Sequence, residues 1–113
     1  MAFAISTQID RDAAIMTLTG ELDAAAAPAF RDQIEQLAGG AEVHRLVLLL
    51  KDLSYMASAG LRALVFAKQK LGANVELVLV GTQDAVGETI ELTGFHHSVT
   101  MVESYDLGAT TAG

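Results

Sequence analysis

Hydrophobic and polar positions alternate at the start of the chain. Phe3, Ile5 and Ile9 stand loosely between polar residues, and Ile15-Met16-Thr17-Leu18-Thr19 repeats more clearly up to Gly20, the two-residue period of half-buried strands. Asp10-Arg11-Asp12 makes a tight charged turn between the two segments, so an antiparallel hairpin is predicted. The period then changes. Ala27, Phe30, Ile34 and Leu37 recur at three- and four-residue steps, with Pro28 at the start and Gly39-Gly40 at the end. This is the signature of an amphipathic helix with Pro in its first turn and Gly as its stop.

Residues 46–50, Leu-Val-Leu-Leu-Leu, are apolar without alternation, as expected of a central strand covered on both faces. Residues 52–57 read as a short connection. A second helix is predicted over residues 58–71, stopped by Gly72, with Leu61, Leu64, Val65 and Leu71 as its buried face. Residues 75–80 read as another buried strand. Strand–helix–strand over residues 46–80 requires a parallel pair joined by a crossover. Asp84 is expected to cap a third helix reaching Ile90 and Leu92 and ending at Gly94, with a last strand over residues 99–102. From Ser104 onward Gly, Ala and Thr dominate, and fraying is expected. The prediction is an α/β fold in one domain over residues 1–113.

Composition narrows the function. With 113 residues, 51% hydrophobic and 5% aromatic, the chain can bury one core and is neither disordered nor a disulfide scaffold. No cysteine is present, which excludes thiol nucleophiles, Cys-ligated metals and iron–sulfur clusters. Seven basic residues against fourteen acidic ones give a net charge of −7. The basic residues are scattered, which argues against direct nucleic-acid binding. No run approaches a membrane span and the first residues do not read as a signal peptide. A soluble cytoplasmic protein, away from the membrane, is expected.

Most catalytic motifs are missing. There is neither GxGxxG nor GxxxxGK[ST], so the usual phosphate-cradling loops are absent. His96-His97 has no spaced third ligand, and adjacent side chains diverge; a solvated loop pair is the simpler reading. His44 precedes a strand and has no partner in sequence. Glu21 and Asp23 lie at a strand end with nothing to split their proton affinities. No catalytic residue, metal site or cofactor is expected.

Ser58 has a more informative setting. It follows the central strand by a short connection and begins the next helix, at the sheet edge where open α/β folds place their sites. Helix N-terminal N–H groups stabilise a phosphate by about 1–2 kcal/mol, while Ser at that position also serves as a plain cap. Ser58, Arg62 and Phe66 follow at i, i+4 and i+8 and line one side of the helix. Phe66 falls nearly opposite the Leu61/Leu64/Leu71 face. It is either covered by a neighbouring helix or an exposed anchor for a protein partner.

Gly20-Glu21-Leu22-Asp23, the segment from Leu48 to Leu61 that contains Ala57-Ser58-Ala59-Gly60-Leu61, and Glu91-Leu92-Thr93-Gly94-Phe95 occur in the order and spacing of the STAS domain. The chain resembles the bacterial anti-sigma factor antagonists, the stand-alone members of that family, from about Phe3 to Val102. The resemblance implies a mixed, largely parallel sheet of about five strands with helices packed mainly on one side. It also implies a partner switch. Such an antagonist binds an anti-sigma factor that is also a serine kinase, is phosphorylated at the start of the second helix, lets go, and is reset by a serine phosphatase.

By position, the phosphorylation site implied is Ser58. The family pattern is commonly Asp-Ser-(Ser/Thr)-Gly-Leu; here Ala57 replaces the Asp and Ala59 removes a second hydroxyl. Asp23 looks like a partner-contact residue, or serves in a cap or turn. The expected partner surface is Asp23, Ala57, Ser58, Ala59, Gly60, Arg62 and Phe66. A monomer or weak homodimer is expected, with Phe66 or residues 24–29 as the contact. Two alternatives stand beside this reading: a non-phosphorylated STAS scaffold in a signalling complex, favoured by Ala57, and a small nucleotide-binding α/β module using the sheet edge near Asp23 and Ser58.

Overall fold

The computed structural model describes residues 2–40 and 42–105. The hairpin forms as the alternation predicts. Strand β1 (Ala4–Asp10) pairs antiparallel with β2 (Ala13–Leu22), from Ala4 opposite Thr19 to Asp10 opposite Ala13. Arg11 turns the corner with φ 59°, the positive value that a two-residue hairpin turn requires.

Helix α1 (Ala27–Gly39) buries the four predicted residues, Ala27, Phe30, Ile34 and Leu37, and ends at Gly40. Strand β3 (Arg45–Leu49) then takes the centre of the sheet, followed by β4 (Leu53–Met56), α2 (Ser58–Leu71), β5 (Glu76–Val80), α3 (Asp84–Leu92), a short 3₁₀ turn (Phe95–Ser98) and β6 (Thr100–Val102). The path runs β1-β2-β3-β5-β6, with β4 also paired to β2, so the sheet has six strands. Every pairing except β1–β2 is parallel.

Three expectations need correction. Residues 52–57 are more than a connection, because they contain β4. On α2 the buried residues are Gly60, Leu61, Ala63, Leu64 and Ala67, whereas Val65 and Leu71 are half-buried. The helix packs closely along α1 and its first turn lies against Leu22 of β2, contacts that small side chains allow. Asp84 is the first residue of α3 rather than its cap, and Gln83 precedes the helix without a side-chain capping bond.

The main core lies between the helices and one sheet face, where Met16, Leu18, Leu46, Leu48, Leu77 and Leu79 meet Phe30, Ile34, Leu61, Leu64, Val86 and Ile90. All three helices contribute to it. On the opposite face Ile15, Val47, Val78 and Val80 form a second, smaller cluster with Leu49 and Tyr105 packed against it. The unbroken apolar run of β3 therefore reflects two buried faces, only one of which carries helices.

The predicted fraying from Ser104 falls mostly on residues 106–113, outside the described residues. Tyr105 itself is tied down, since its hydroxyl accepts a hydrogen bond from Arg45 Nη1 at 3.3 Å. Arg45 also donates to Glu76 across the β3–β5 pair at 3.0 Å, and Glu76 accepts from Thr100 Oγ1 on β6 at 3.0 Å.

Candidate functional site

Strand β2 builds the site by changing partner along its length. Its first half pairs with β3, from Ala13 opposite Arg45 to Thr17 opposite Leu49. Past Thr17 the strand changes partner and its last residues pair with β4: Gly20 with Leu53, Glu21 with Tyr55, Leu22 with Met56, the register slipping at Ser54, the extra residue on β4. Gly20 has φ 89°, and a Cβ there would strike the carbonyl of Ala2; only glycine fits. The Gly20 N–H donates to the Asp52 carbonyl at 3.0 Å, and Ser54 Oγ donates to the Gly20 carbonyl at 3.1 Å. These bonds fix β4 to the end of β2, and β4 delivers the chain to α2.

The start of α2 is then locked to β2. The Ala57 N–H donates to the Leu22 carbonyl, and the Leu61 N–H to the Ala57 carbonyl, both at 3.0 Å. Ala57 is the N-cap, with φ −80° and ψ 170°, and supplies no side-chain capping bond. Ser58 is the first helical residue and is exposed, Ala59 is half-buried, and Gly60 is buried. Arg62 is exposed one turn further on, within the i, i+4 reach of a group carried on Ser58. The structure thus brings Ala57, Ser58, Ala59, Gly60 and Arg62 together on one helix start beside the end of β2.

Asp23 follows β2 directly. Its Oδ1 accepts the Ala26 N–H at 3.0 Å, and its carbonyl accepts the N–H groups of Ala26 and Ala27 at 3.1 and 3.0 Å. The carboxylate therefore shapes the turn into α1, a capping role that the sequence leaves open. Together with Glu21, Ala2, Phe3, Ala25, Ala26 and Ala29 it lines an open groove of about 360 Å³.

Phe66 is not the free anchor that the helical spacing allows. It is half-buried against the core, and the Arg31 guanidinium of α1 sits 5.5 Å from its ring centroid, within cation–π range. The neighbouring helix covers it. Tyr55, on a strand without a strand-like period, is instead an exposed aromatic side chain beside it: it is 48% exposed and stands opposite Glu21.

The histidines lie elsewhere. His96 and His97 sit in the 3₁₀ turn with ring centroids 3.9 Å apart. His96 is half-buried rather than solvated. His44 faces the carboxylates of Asp12 and Glu42 at 3.4 and 3.8 Å on the exposed opposite end of the sheet. Among the described residues no cluster of three or more His, Asp or Glu could hold a metal ion, and no helix is long and apolar enough to cross a membrane.

A β2 strand that changes partner and holds a serine-led helix start against the end of a mostly parallel sheet defines a small α/β domain. The STAS domain family model matches residues 4–107, and the chain belongs to that family. Its fold is shared with solved anti-sigma factor antagonists. One from Mycobacterium paratuberculosis superposes with a TM-score of 0.84 at 24% identity, over 98% of this chain and 93% of that one. A putative one from Thermotoga maritima gives 0.83 at 17% identity, over 95% and 92%. The Bacillus cell fate determinant SpoIIAA in its phosphorylated form gives 0.75 at 20% identity, over 98% of each chain.

Proposed function

We infer that the chain is an anti-sigma factor antagonist that binds an anti-sigma factor with serine kinase activity through the surface around Ser58 and is released when Ser58 is phosphorylated. The observation that carries this reading is an exposed serine at the first position of α2, on a helix start fastened to β2. A serine phosphatase resets the switch. The reading sets the protein to work in the cytoplasm, as a regulator rather than an enzyme.

The electrostatics support release without refolding. A phosphate brings about −1.5 to −2 charges to a surface already carrying Glu21 and Asp23. Buried unpaired in an interface, that charge costs several kcal/mol, and each 1.4 kcal/mol is about tenfold in affinity. In the free protein the same phosphate meets the open N-terminus of α2 and the exposed Arg62, which favour it. The modified state is comfortable alone and repelled in the complex.

The test is the intact mass, with peptide mapping, of the protein from its own cells before and after phosphatase treatment. One phosphate on Ser58 supports the switch. Ser58 unmodified under every growth condition overturns it in favour of the scaffold reading, for which one observation speaks: Ala57 puts no carboxylate beside the hydroxyl to orient it for transfer.

A further inference from the structure

The two edges of the sheet are protected very differently. Strand β6 has three residues, whereas β1 has seven and pairs with β2 in unbroken register. Proteins usually blunt a long edge with Lys, Pro, a bulge or inward charge. Residues 4–9 of β1 read Ala-Ile-Ser-Thr-Gln-Ile and contain none of these. Ile9 is 48% exposed although it lies opposite the fully buried Ala14, on the helix-bearing face.

The open backbone groups can be assigned. On β2 the even-numbered residues turn toward β3 and β4: the Gly20 N–H meets Asp52, the Leu22 carbonyl meets Ala57, and beyond the hairpin turn the Asp12 carbonyl meets the His44 N–H. The odd-numbered residues of β2 therefore bond to β1, through Ala4, Ser6, Gln8 and Asp10. That leaves the N–H and C=O groups of Ile5, Thr7 and Ile9 pointing outward from the edge.

We propose that β1 is a self-pairing edge, and that a second copy of this chain docks on it antiparallel about a two-fold axis at Thr7. In that register Thr7 faces Thr7, Ile5 faces Ile9 of the second copy, and Ser6 faces Gln8. Outward-pointing residues then meet only outward-pointing residues, completing about six backbone hydrogen bonds. Each exposed Ile9 gains an Ile5 neighbour on the same face. The two Asp10 residues fall at opposite ends, roughly 20 Å apart, beyond the screening length of about 8 Å at physiological salt.

The flank of α1 above the edge fits the same arrangement. Thr7 Oγ1 donates to Gln33 Oε1 at 3.2 Å, so Gln33 marks the side of α1 that faces β1. Ala29 and Gln36 share that side by helical spacing. Ala29, Gln33 and Gln36 carry no charge, and Asp32, the nearest carboxylate by helical spacing, lies further round toward the outer face of α1. The two-fold axis reverses the strands, so the two Ser58 sites lie at opposite ends of the joined sheet and both stay open.

Sedimentation equilibrium across a concentration series reaching about 1 mM, the range of weak association, tests the proposal. The wild type is expected to approach twice its 11.9 kDa mass. Thr7→Pro, which removes an outward N–H and the exposed bond to Gln33 but no bond to β2, is expected to remain monomeric with an unchanged far-ultraviolet spectrum. Thr7→Cys introduces the single cysteine of the chain at the symmetry axis. There paired Cα atoms stand about 5.5 Å apart, inside the disulfide range of about 4.4–6.8 Å. It is expected to oxidise to a cross-linked dimer, whereas Ser6→Cys, which faces Gln8, does not. A wild type at monomer mass throughout overturns the proposal, as does a dimer that survives Thr7→Pro or leaves Thr7→Cys uncross-linked.

Discussion

A methyl group on Gly60 would stand 2.5 Å from the carbonyl oxygen of Leu22, the same oxygen that accepts the Ala57 N–H. Helix α2 thus meets β2 backbone to backbone, and the position of Ser58 is set by that contact. Gly60→Ala forces the helix away from the strand and is expected to destabilise the protein by about 1–3 kcal/mol, the usual range for overpacking a tight contact. Urea unfolding reads this as a lower midpoint with an unchanged slope. An unchanged midpoint would show that the helix can move freely.

Replacing Ser58 separates binding from folding. Ser58 is exposed and makes no capping bond from its neighbour's side chain, so Ser58→Asp is expected to change stability by less than about 0.5 kcal/mol, as surface substitutions do. Affinity for the anti-sigma factor is expected to fall at least about tenfold, measured by calorimetry with the cognate partner. Equal affinity for wild type and variant would remove the release mechanism.

Ala57 already has the extended backbone of a cap, at φ −80° and ψ 170°, and lacks only the acceptor. Ala57→Asp is therefore expected to raise stability by about 0.5–2 kcal/mol. It is also expected to speed phosphorylation of Ser58 by the partner kinase in a time course. A drop in the urea midpoint would contradict the capping geometry.

Tyr105 offers a test on the other face of the sheet. Tyr105→Phe removes the bond to Arg45 and is expected to cost about 0.5 kcal/mol, the low end for a hydrogen bond, because the Arg45 side chain is 41% exposed. Tyr105→Ala also uncovers part of the Ile15/Val47/Val78/Val80 cluster and is expected to cost more. The Tyr105 hydrogen bond is the main cause raising the proton affinity of the Arg45 guanidinium above its ordinary value, with burial opposing and Glu76 adding. A cation whose affinity for its proton is raised on folding contributes its stability below that range and loses it only above. The difference between wild type and Tyr105→Phe is thus expected to stay constant from about pH 5 to 9, as followed by thermal melts.

The elements that periodicity reveals are those with a long, regular pattern. Ala27, Phe30, Ile34 and Leu37 mark α1 because large side chains fill its inner face, and the strands at 13–22, 45–49 and 76–80 carry the apolar runs of a covered sheet. Strand β4 escapes because four residues, Leu-Ser-Tyr-Met, are buried only at their ends, which follows neither the strand nor the helix period. Ala63 and Ala67 of α2 are buried yet have too little apolar surface to stand out beside Val65. At the site, Ser58 is legible as the start of a helix after a central strand. Tyr55 is hidden with β4, and the cover over Phe66 depends on Arg31, thirty-five positions away. No local signal announces such a contact.

The change of partner at Gly20 lets one strand answer to two neighbours, and this orders events in time. Residues 20–22 meet residues 53–56 only after the chain between them has closed a long loop. A nascent or damaged chain carries the serine but not the platform that presents it. Recognition at this surface is therefore also an inspection of the finished fold, and under the proposed switch the kinase counts only molecules able to act.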